Sequence, residues 1–150
     1  MRAVIQRVSE ASVEINNQLV AEINKGFLIL LGIEIDDTFE DVIWLSNKIS
    51  QLRIFSDEDG KMNNSIIEVD GNAIVVSQFT LHAKTKKGNR PSYIKAAKAQ
   101  QAIPLYEEFI ENLSNAIGKK IQSGEFGADM KVNLLNDGPV TIIIDTKNKE

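Results

Sequence analysis

A glycine–proline pair stands between two apolar runs that patterning assigns to buried strands. The order is Val132-Asn133-Leu134-Leu135, then Asn136-Asp137-Gly138-Pro139-Val140-Thr141, then Ile142-Ile143-Ile144. Proline cannot donate to a sheet ladder, so Pro139 marks a bulge, an edge or a break, and the glycine before it widens the choice of backbone angles. A second segment has the same character. Ser77-Gln78-Phe79-Thr80-Leu81 follows the run Ala73-Ile74-Val75-Val76 and places small hydrogen-bonding residues where a strand should be ending. Strand interiors seldom hold such residues without a use for them.

The rest of the pattern fits a sheet with helices on it. Residues 4–8 and 12–15 alternate, Asn16-Asn17 supplies a hairpin turn, Leu19 to Ile23 returns, and Gly26 to Ile33 is a continuous apolar strand buried on both faces. Thr38-Phe39-Glu40-Asp41 has the capping-box form. Phe39, Val42, Leu45, Ile49 and Leu52 then repeat at helical spacing, which predicts a helix from 39 to about 51. Strand is expected to resume at Leu52 to Phe55, ahead of a turn at Asp57-Glu58-Asp59-Gly60, and again from Ala73 to Thr80. Pro91 and Pro104 are each expected at a first helical position, with Gly118 capping the second helix. Residues 146–150 are expected to fray. No repeat or linker divides residues 1–150, so the expectation is a single-domain, layered α/β protein.

Inventory excludes much chemistry. The 150 residues are 43% hydrophobic, enough for a real core, and contain no cysteine and one histidine, His82. Disulfides, thiolate metal sites and cysteine nucleophiles are out, as is any two-histidine metal site; neither metal nor cofactor is expected. Asp57, Asp59, Lys61, Asn63, Ser65 and Glu68 fall at the ligand spacing of a calcium loop. Lysine stands at position five and Met62 replaces the glycine of position six, so a solvated turn is the reading. The longest apolar stretch, Phe27 to Ile33, is far short of the ~20 residues of a membrane span. With no signal-peptide block at the start, a cytoplasmic protein is expected.

Charge is unevenly distributed. Between Gly71 and Tyr106 there is no acid, while Lys84, Lys86, Lys87, Arg90, Lys95 and Lys98 give +6; the remaining 11 basic and 21 acidic residues leave the rest of the chain at −10. A basic stretch on an acidic body can hold a few phosphates without adhering to bulk nucleic acid. A solvated loop and helix face is the plain alternative.

Together the two motifs resemble the Ser-Gln-x-Thr and Asn-x-Gly-Pro-x-Thr signatures of D-aminoacyl-tRNA deacylases. Gln6-Arg7-Val8, Leu52-Arg53-Ile54-Phe55, Gly60-Lys61-Met62-Asn63, Gly88-Asn89-Arg90-Pro91-Ser92 and Phe126-Gly127-Ala128-Asp129-Met130 look like further family segments, in order along nearly the whole chain. The resemblance implies a mixed, barrel-like sheet with helices packed outside. It also implies a hydrolase that cleaves the ester of D-aminoacyl-tRNA, and of glycyl-tRNA, and works as a homodimer with its site at the subunit interface. Each chain's cis Gly138-Pro139 would reach into the partner's pocket, its backbone oxygens accepting from a D-aminoacyl ammonium and leaving no room for an L side chain.

On the resemblance, Ser77, Gln78, Phe79 and Thr80 carry the catalytic segment. Asn136, Gly138, Pro139, Thr141, Arg7 and Met130 form the chiral filter and substrate pocket for the aminoacylated 3′ end of tRNA, and the charge window beside the first motif makes Lys84, Lys86, Lys87 and Arg90 the expected RNA phosphate contacts. Phe79 is core or a platform for the terminal adenine. Met130 is packing or pocket wall. Arg7 is a surface strand arginine or a clamp on the Gly-Pro carbonyls. A Ser77–His82 triad is disfavoured, because strand alternation would put the two residues on opposite faces and no acid lies nearby to orient the imidazole. Rival expectations are a catalytically silent tRNA or RNA-binding module and a structural interaction domain of similar layered fold.

Overall fold

The structure, a computed structural model, describes residues 1–150. Strand β1 (Arg2–Ile15) runs unbroken where two shorter strands are expected. Exposed Ser9 and Glu10 mark the place where its ladder with the last strand shifts register. Asn16 and Asn17 both take left-handed angles, φ 51° and 62°, and turn the chain into β2 (Gln18–Ile23). After β3 (Gly26–Gly32) comes helix α1 (Phe39–Ser50), whose first turn is closed by the Asp41 carboxylate accepting from the Thr38 N–H at 2.9 Å. Strands β4 (Phe55–Ser56) and β5 (Met62–Asn64) form a small hairpin beyond it. Then follow β6 (Asn72–Ser77), α2 (Ala99–Ile117), β7 (Gln122–Ser123) and β8 (Lys131–Asp145).

The main sheet runs β2-β1-β3-β6-β7, with β8 on the other side of β1. The β3–β6 and β6–β7 pairs are parallel and the rest antiparallel, so the sheet is mixed. Its two ends nearly meet. Gln122 on β7 uses its side-chain amide as a substitute ladder rung, accepting from the Glu22 N–H at 2.8 Å and donating to the Glu22 carbonyl at 2.6 Å. Alternation along β1, β3 and β6 sends Ala3, Ile5, Phe27, Ile29, Leu31 and Val75 toward α1 and α2, where Leu45, Ile49, Phe109 and Leu113 meet them. Val8, Val13, Leu28, Ile74 and Val76 point inside the barrel. Buried Tyr106 ties α2 to the sheet by donating to the Val75 carbonyl at 2.9 Å, and burial pushes its phenol up to about 12 against the lowering hydrogen bond with Ser123.

Four local expectations are corrected. Strand resumes only at Phe55, because the Ile54 carbonyl is taken by Arg7 at 2.7 Å rather than by a ladder. Strand β6 stops at Ser77, and Phe79–His82 form a 3₁₀ turn instead of more strand. Gln78 N–H still donates to Leu31, but the Leu81 N–H turns back to the Gln78 carbonyl at 3.2 Å. Pro91 starts no helix; Lys84 and Ser92 pair there as an isolated antiparallel bridge. Pro104 lies inside α2, since Ala99-Gln100-Gln101-Ala102 are good helix formers and add a turn ahead of it, at the cost of one helical bond. The tail is also more engaged than fraying implies. Thr146 is buried, Lys147 Nζ donates to the Asp36 carbonyl and the Asp41 carboxylate at 2.8 Å each, and Lys149 Nζ lies 4.3 Å from the Trp44 ring centre. No helix is long and apolar enough to cross a membrane.

Candidate active site

At the end of β6 the chain leaves the ladder and opens a cavity of about 300 Å³. Ser77, Gln78 and Phe79 form one wall; Phe126 to Met130, arriving from the loop before β8, form another; Leu31, Ala97 and Ala102 close the base. The first N–H groups of a 3₁₀ turn have no acceptor within it, so the Phe79–His82 turn begins with donors at the cavity wall. Gln78 donates its side-chain amide to the Thr80 hydroxyl, holding the turn closed. Phe79 is 54% exposed, which removes it from the core, and meets Tyr93 edge-on at 5.0 Å. Met130 lines the cavity and packs against the barrel interior.

His82 does not line this cavity. The 3₁₀ turn, not strand alternation, decides its direction, and it points inward with 3% exposure, its Nε2 without a partner. Asp57 is used within its own turn, its carboxylate accepting from the Asp59 and Lys61 N–H groups. No cluster of three or more potential metal ligands forms anywhere in the chain.

The second motif forms a bulge on β8. Gln6 pairs with Thr141 and Val8 with Asn136, so Asp137 to Val140 bow out opposite the single residue Arg7. Asn136 staples the bow, accepting from the Val140 N–H at 2.9 Å and donating to the Thr141 hydroxyl at 3.1 Å. Arg7, only 9% exposed, donates to the carbonyls of Asp137 at 2.9 Å and Ile54 at 2.7 Å. The Gly138–Pro139 bond is cis and both residues are exposed. Gly138 has φ 136°, and a Cβ there would stand 2.8 Å from Arg7 Nη2 and 2.9 Å from Val140 Cγ2. No other residue fits that backbone without displacing the clamp.

The two motifs do not meet within one chain. None of residues 136–141 lines the cavity. Ser77 pairs with Leu31 and Leu31 with Ala3, four residues along β1 from Arg7. The bulge therefore lies about 13 Å along the strands and about 14 Å across them from Ser77, at ordinary strand spacings. Lys84, Lys86, Lys87 and Arg90 are all exposed on the loop closed by the Lys84–Ser92 bridge, with N···O distances of 2.8 and 3.0 Å, and none pairs with a carboxylate. The sequence marks Phe126 to Met130 as a family segment but gives a site role to Met130 alone, and it passes over Tyr93. The Phe-Gly-Ala run before a strand was the available signal for Phe126 to Asp129; nothing marked Tyr93.

A nearly closed mixed barrel with two outer helices, and a cavity walled by strand-end backbone rather than by thiols or imidazoles, defines the class of protein. A sequence profile for D-Tyr-tRNA(Tyr) deacylase matches residues 4–145. Proteins named D-aminoacyl-tRNA deacylase from Bacteroides fragilis and Flavobacterium johnsoniae are 66% and 65% identical over 150 residues, the full length of both chains in each case. A solved structure titled c-Myc DNA unwinding element binding protein is 39% identical with a TM-score of 0.92, covering 97% of this chain and 99% of that one. Another, of a probable eukaryotic D-amino acid tRNA deacylase, shares the fold at 17% identity and a TM-score of 0.80, over 95% and 97% of the two chains. The chain belongs to the D-Tyr-tRNA(Tyr) deacylase family.

Proposed function

We propose that this protein hydrolyses the ester of D-aminoacyl-tRNA in the cytoplasm, as a homodimer in which each Gly138-Pro139 bulge enters the cavity of the other chain. The observation that carries the reading is the separation just described: a cavity built by one motif, and an exposed, stapled bulge built by the other, too far away to serve it. Strand β8 adds to this, since its outer edge has no partner strand and Leu134, Leu135 and Ile143 are exposed along it.

The chemistry needs little from side chains. Water attacks the carbonyl carbon, negative charge collects on its oxygen, and the ribose oxygen leaves with a proton supplied through water or the neighbouring 2′-hydroxyl. Backbone N–H groups at Phe79 and Thr80 face the developing oxyanion, where one such donor is commonly worth ~2.7 to 4 kcal/mol. The Gly138 and Pro139 carbonyls accept from the α-ammonium and occupy the space an L side chain needs. Glycyl esters, lacking a side chain, pass the same filter. Backbone atoms do the selecting, so the filter ignores which D residue arrives.

The exposed, unpaired cations of residues 84–90 favour a second reading, a nucleic-acid-binding module without catalysis. Incubation with D-Tyr-tRNA and L-Tyr-tRNA separates the two. Rapid loss of the D ester with survival of the L ester is expected; tRNA binding with neither ester cleaved would leave only the binding module.

A further inference from the structure

Beside the cavity mouth Phe79 of the first motif joins an exposed apolar surface that the ester chemistry does not use. Phe79 is 54% exposed, Tyr93 38% and Ile94 70%, and the two rings meet at 5.0 Å with 75° between their planes. Soluble proteins do not hold such groups in fixed array in water without a use for them. The array is fixed from below: the Ala96 N–H donates to the Tyr93 carbonyl at 3.0 Å, Ile35 N–H to Lys95 at 3.1 Å, and Ala97 N–H to Ile33 at 2.9 Å. Phe79 and Ala97, at its two ends, both line the cavity, so the surface leads directly into it. Arg90 and Lys95 flank it, exposed, in the window that contains no acid.

We propose that Phe79, Tyr93 and Ile94 form the stacking platform for the unpaired bases immediately upstream of the terminal adenosine of tRNA, with Arg90 and Lys95 receiving their phosphates. The proposal rests on the cavity being the site for the aminoacylated 3′ end. Aromatic faces alternating with cations are the arrangement that binds single-stranded nucleic acid, and stacking of this kind tolerates any base. Charge favours a polyanion as the occupant: the segment from Gly71 to Tyr106, which carries Phe79, Tyr93 and Ile94, holds six cations and no acid.

The test pairs two substrates, D-Tyr-tRNA and the single-nucleoside ester D-tyrosyl-adenosine, with a binding probe, a short single-stranded RNA ending in CCA whose penultimate base is 2-aminopurine. Tyr93→Ala should raise KM for D-Tyr-tRNA about five- to 150-fold, the range for losing one base–aromatic stack. KM for the nucleoside ester should rise far less, and the aminopurine quenching seen with the parent protein should vanish. Tyr93→Phe should restore both. Equal effects on the two substrates, or quenching that survives Tyr93→Ala, would overturn the platform. So would a Tyr93→Ala protein that merely dissociates into monomers, which would make the surface an interface between copies. If the parent protein hydrolyses neither ester, the deacylase reading fails, while the quenching experiment still tests the platform.

Discussion

Arg7 Nε donates to the Asp137 carbonyl at 2.9 Å, from a side chain that is almost wholly buried. The same guanidinium reaches Ile54, so one fork joins the Gly138–Pro139 bulge to the start of the β4–β5 hairpin. Lysine offers a point charge without that fork and cannot serve both carbonyls in place. Arg7→Lys should therefore lower the D-over-L rate ratio as well as stability, the latter by about 1.5 to 3 kcal/mol for a charged hydrogen bond removed from the interior. Urea unfolding and parallel D- and L-Tyr-tRNA assays check both effects. An unchanged D-to-L ratio would show that the arginine only supports the fold.

Ser77 lines the cavity and Thr80 does not; the Thr80 hydroxyl accepts from Gln78 rather than facing a base, and His82 is turned into the interior. Thr80→Ala and His82→Gln should keep measurable turnover, within about tenfold of the parent. Deleting a true triad member costs ~10⁴-fold or more. Stability should drop for His82→Gln, whose ring packs against Gly32. An acyl group trapped on Thr80 during turnover would refute the side-chain-independent mechanism.

The exposed cations of residues 84–90 carry a salt-dependence test. Reversing Lys86 and Lys87 to glutamate should weaken tRNA binding and flatten the slope of log K against log[salt] by about 0.7 to 0.9 for each phosphate that is no longer neutralised. Thermal stability should hardly change, because neither side chain is buried or bonded. A slope equal to that of the parent protein would make the loop an ordinary solvated surface.

Most strands, both helices and the capping of α1 were legible because period-two and period-3.6 patterns are strong over long segments. The places where pattern reading failed are places where a local hydrogen bond overrode it. Gln78 to Thr80 read as strand until the backbone turned back on Gln78; Leu52 to Ile54 read as strand until Arg7 claimed a carbonyl; Pro91 read as a helix start until Lys84 paired with Ser92. Composition placed the cations of residues 84–90 on one loop, but their relation to Tyr93 and Phe79 depends on how residues 33–35 and 95–97 bond across the fold. The separation of the two motifs was not legible at all from spacing, since it follows from sheet order.

Asp41 links the α1 cap to the C-terminal tail, and its titration has a definite sign. Burial pushes its carboxyl up, but the hydrogen bonds from Lys147, Thr38 and Thr146 outweigh this and hold it well below its ordinary 3.8. Lys147 moves the other way, raised above 10.5 chiefly by its bond to Asp41. A lowered folded-state carboxyl contributes stability above 3.8 that is lost as pH falls through the lowered value; a raised ammonium contributes below 10.5 and is lost as pH climbs. Asp41→Asn should cost about 1 kcal/mol near neutrality, cap and partly exposed pair together. The gap from the parent protein should narrow steadily as pH falls below 3.8. Thermal midpoints recorded from pH 2 to 7 test this, and a gap independent of pH would show that the charge plays no part.

The shared site is tested by mixing two inactive proteins. Gly138→Ala places a methyl group within 2.8 Å of Arg7 Nη2 at a φ of 136°, so the bulge must move and its carbonyls with it, leaving the cavity of that chain untouched. Ala128→Trp fills the cavity while leaving the bulge intact, since Ala128 lies on the cavity wall and not on β8. If each bulge serves the other chain, a mixed dimer has one site with both faults and one with neither. Random re-pairing of equal amounts should then restore about a quarter of parental activity, from two proteins that are each inert, because half the dimers are mixed and half of their sites are sound. The mixture must first be dissociated and reassociated, and native mass spectrometry of the re-paired sample reports the mixed fraction directly. Restored activity that tracks this fraction fits a site completed across the dimer. Mixed dimers that form in full yet stay inactive would place the filter and the catalytic wall in the same chain, and the proposed exchange of Gly138-Pro139 between subunits would have to be abandoned.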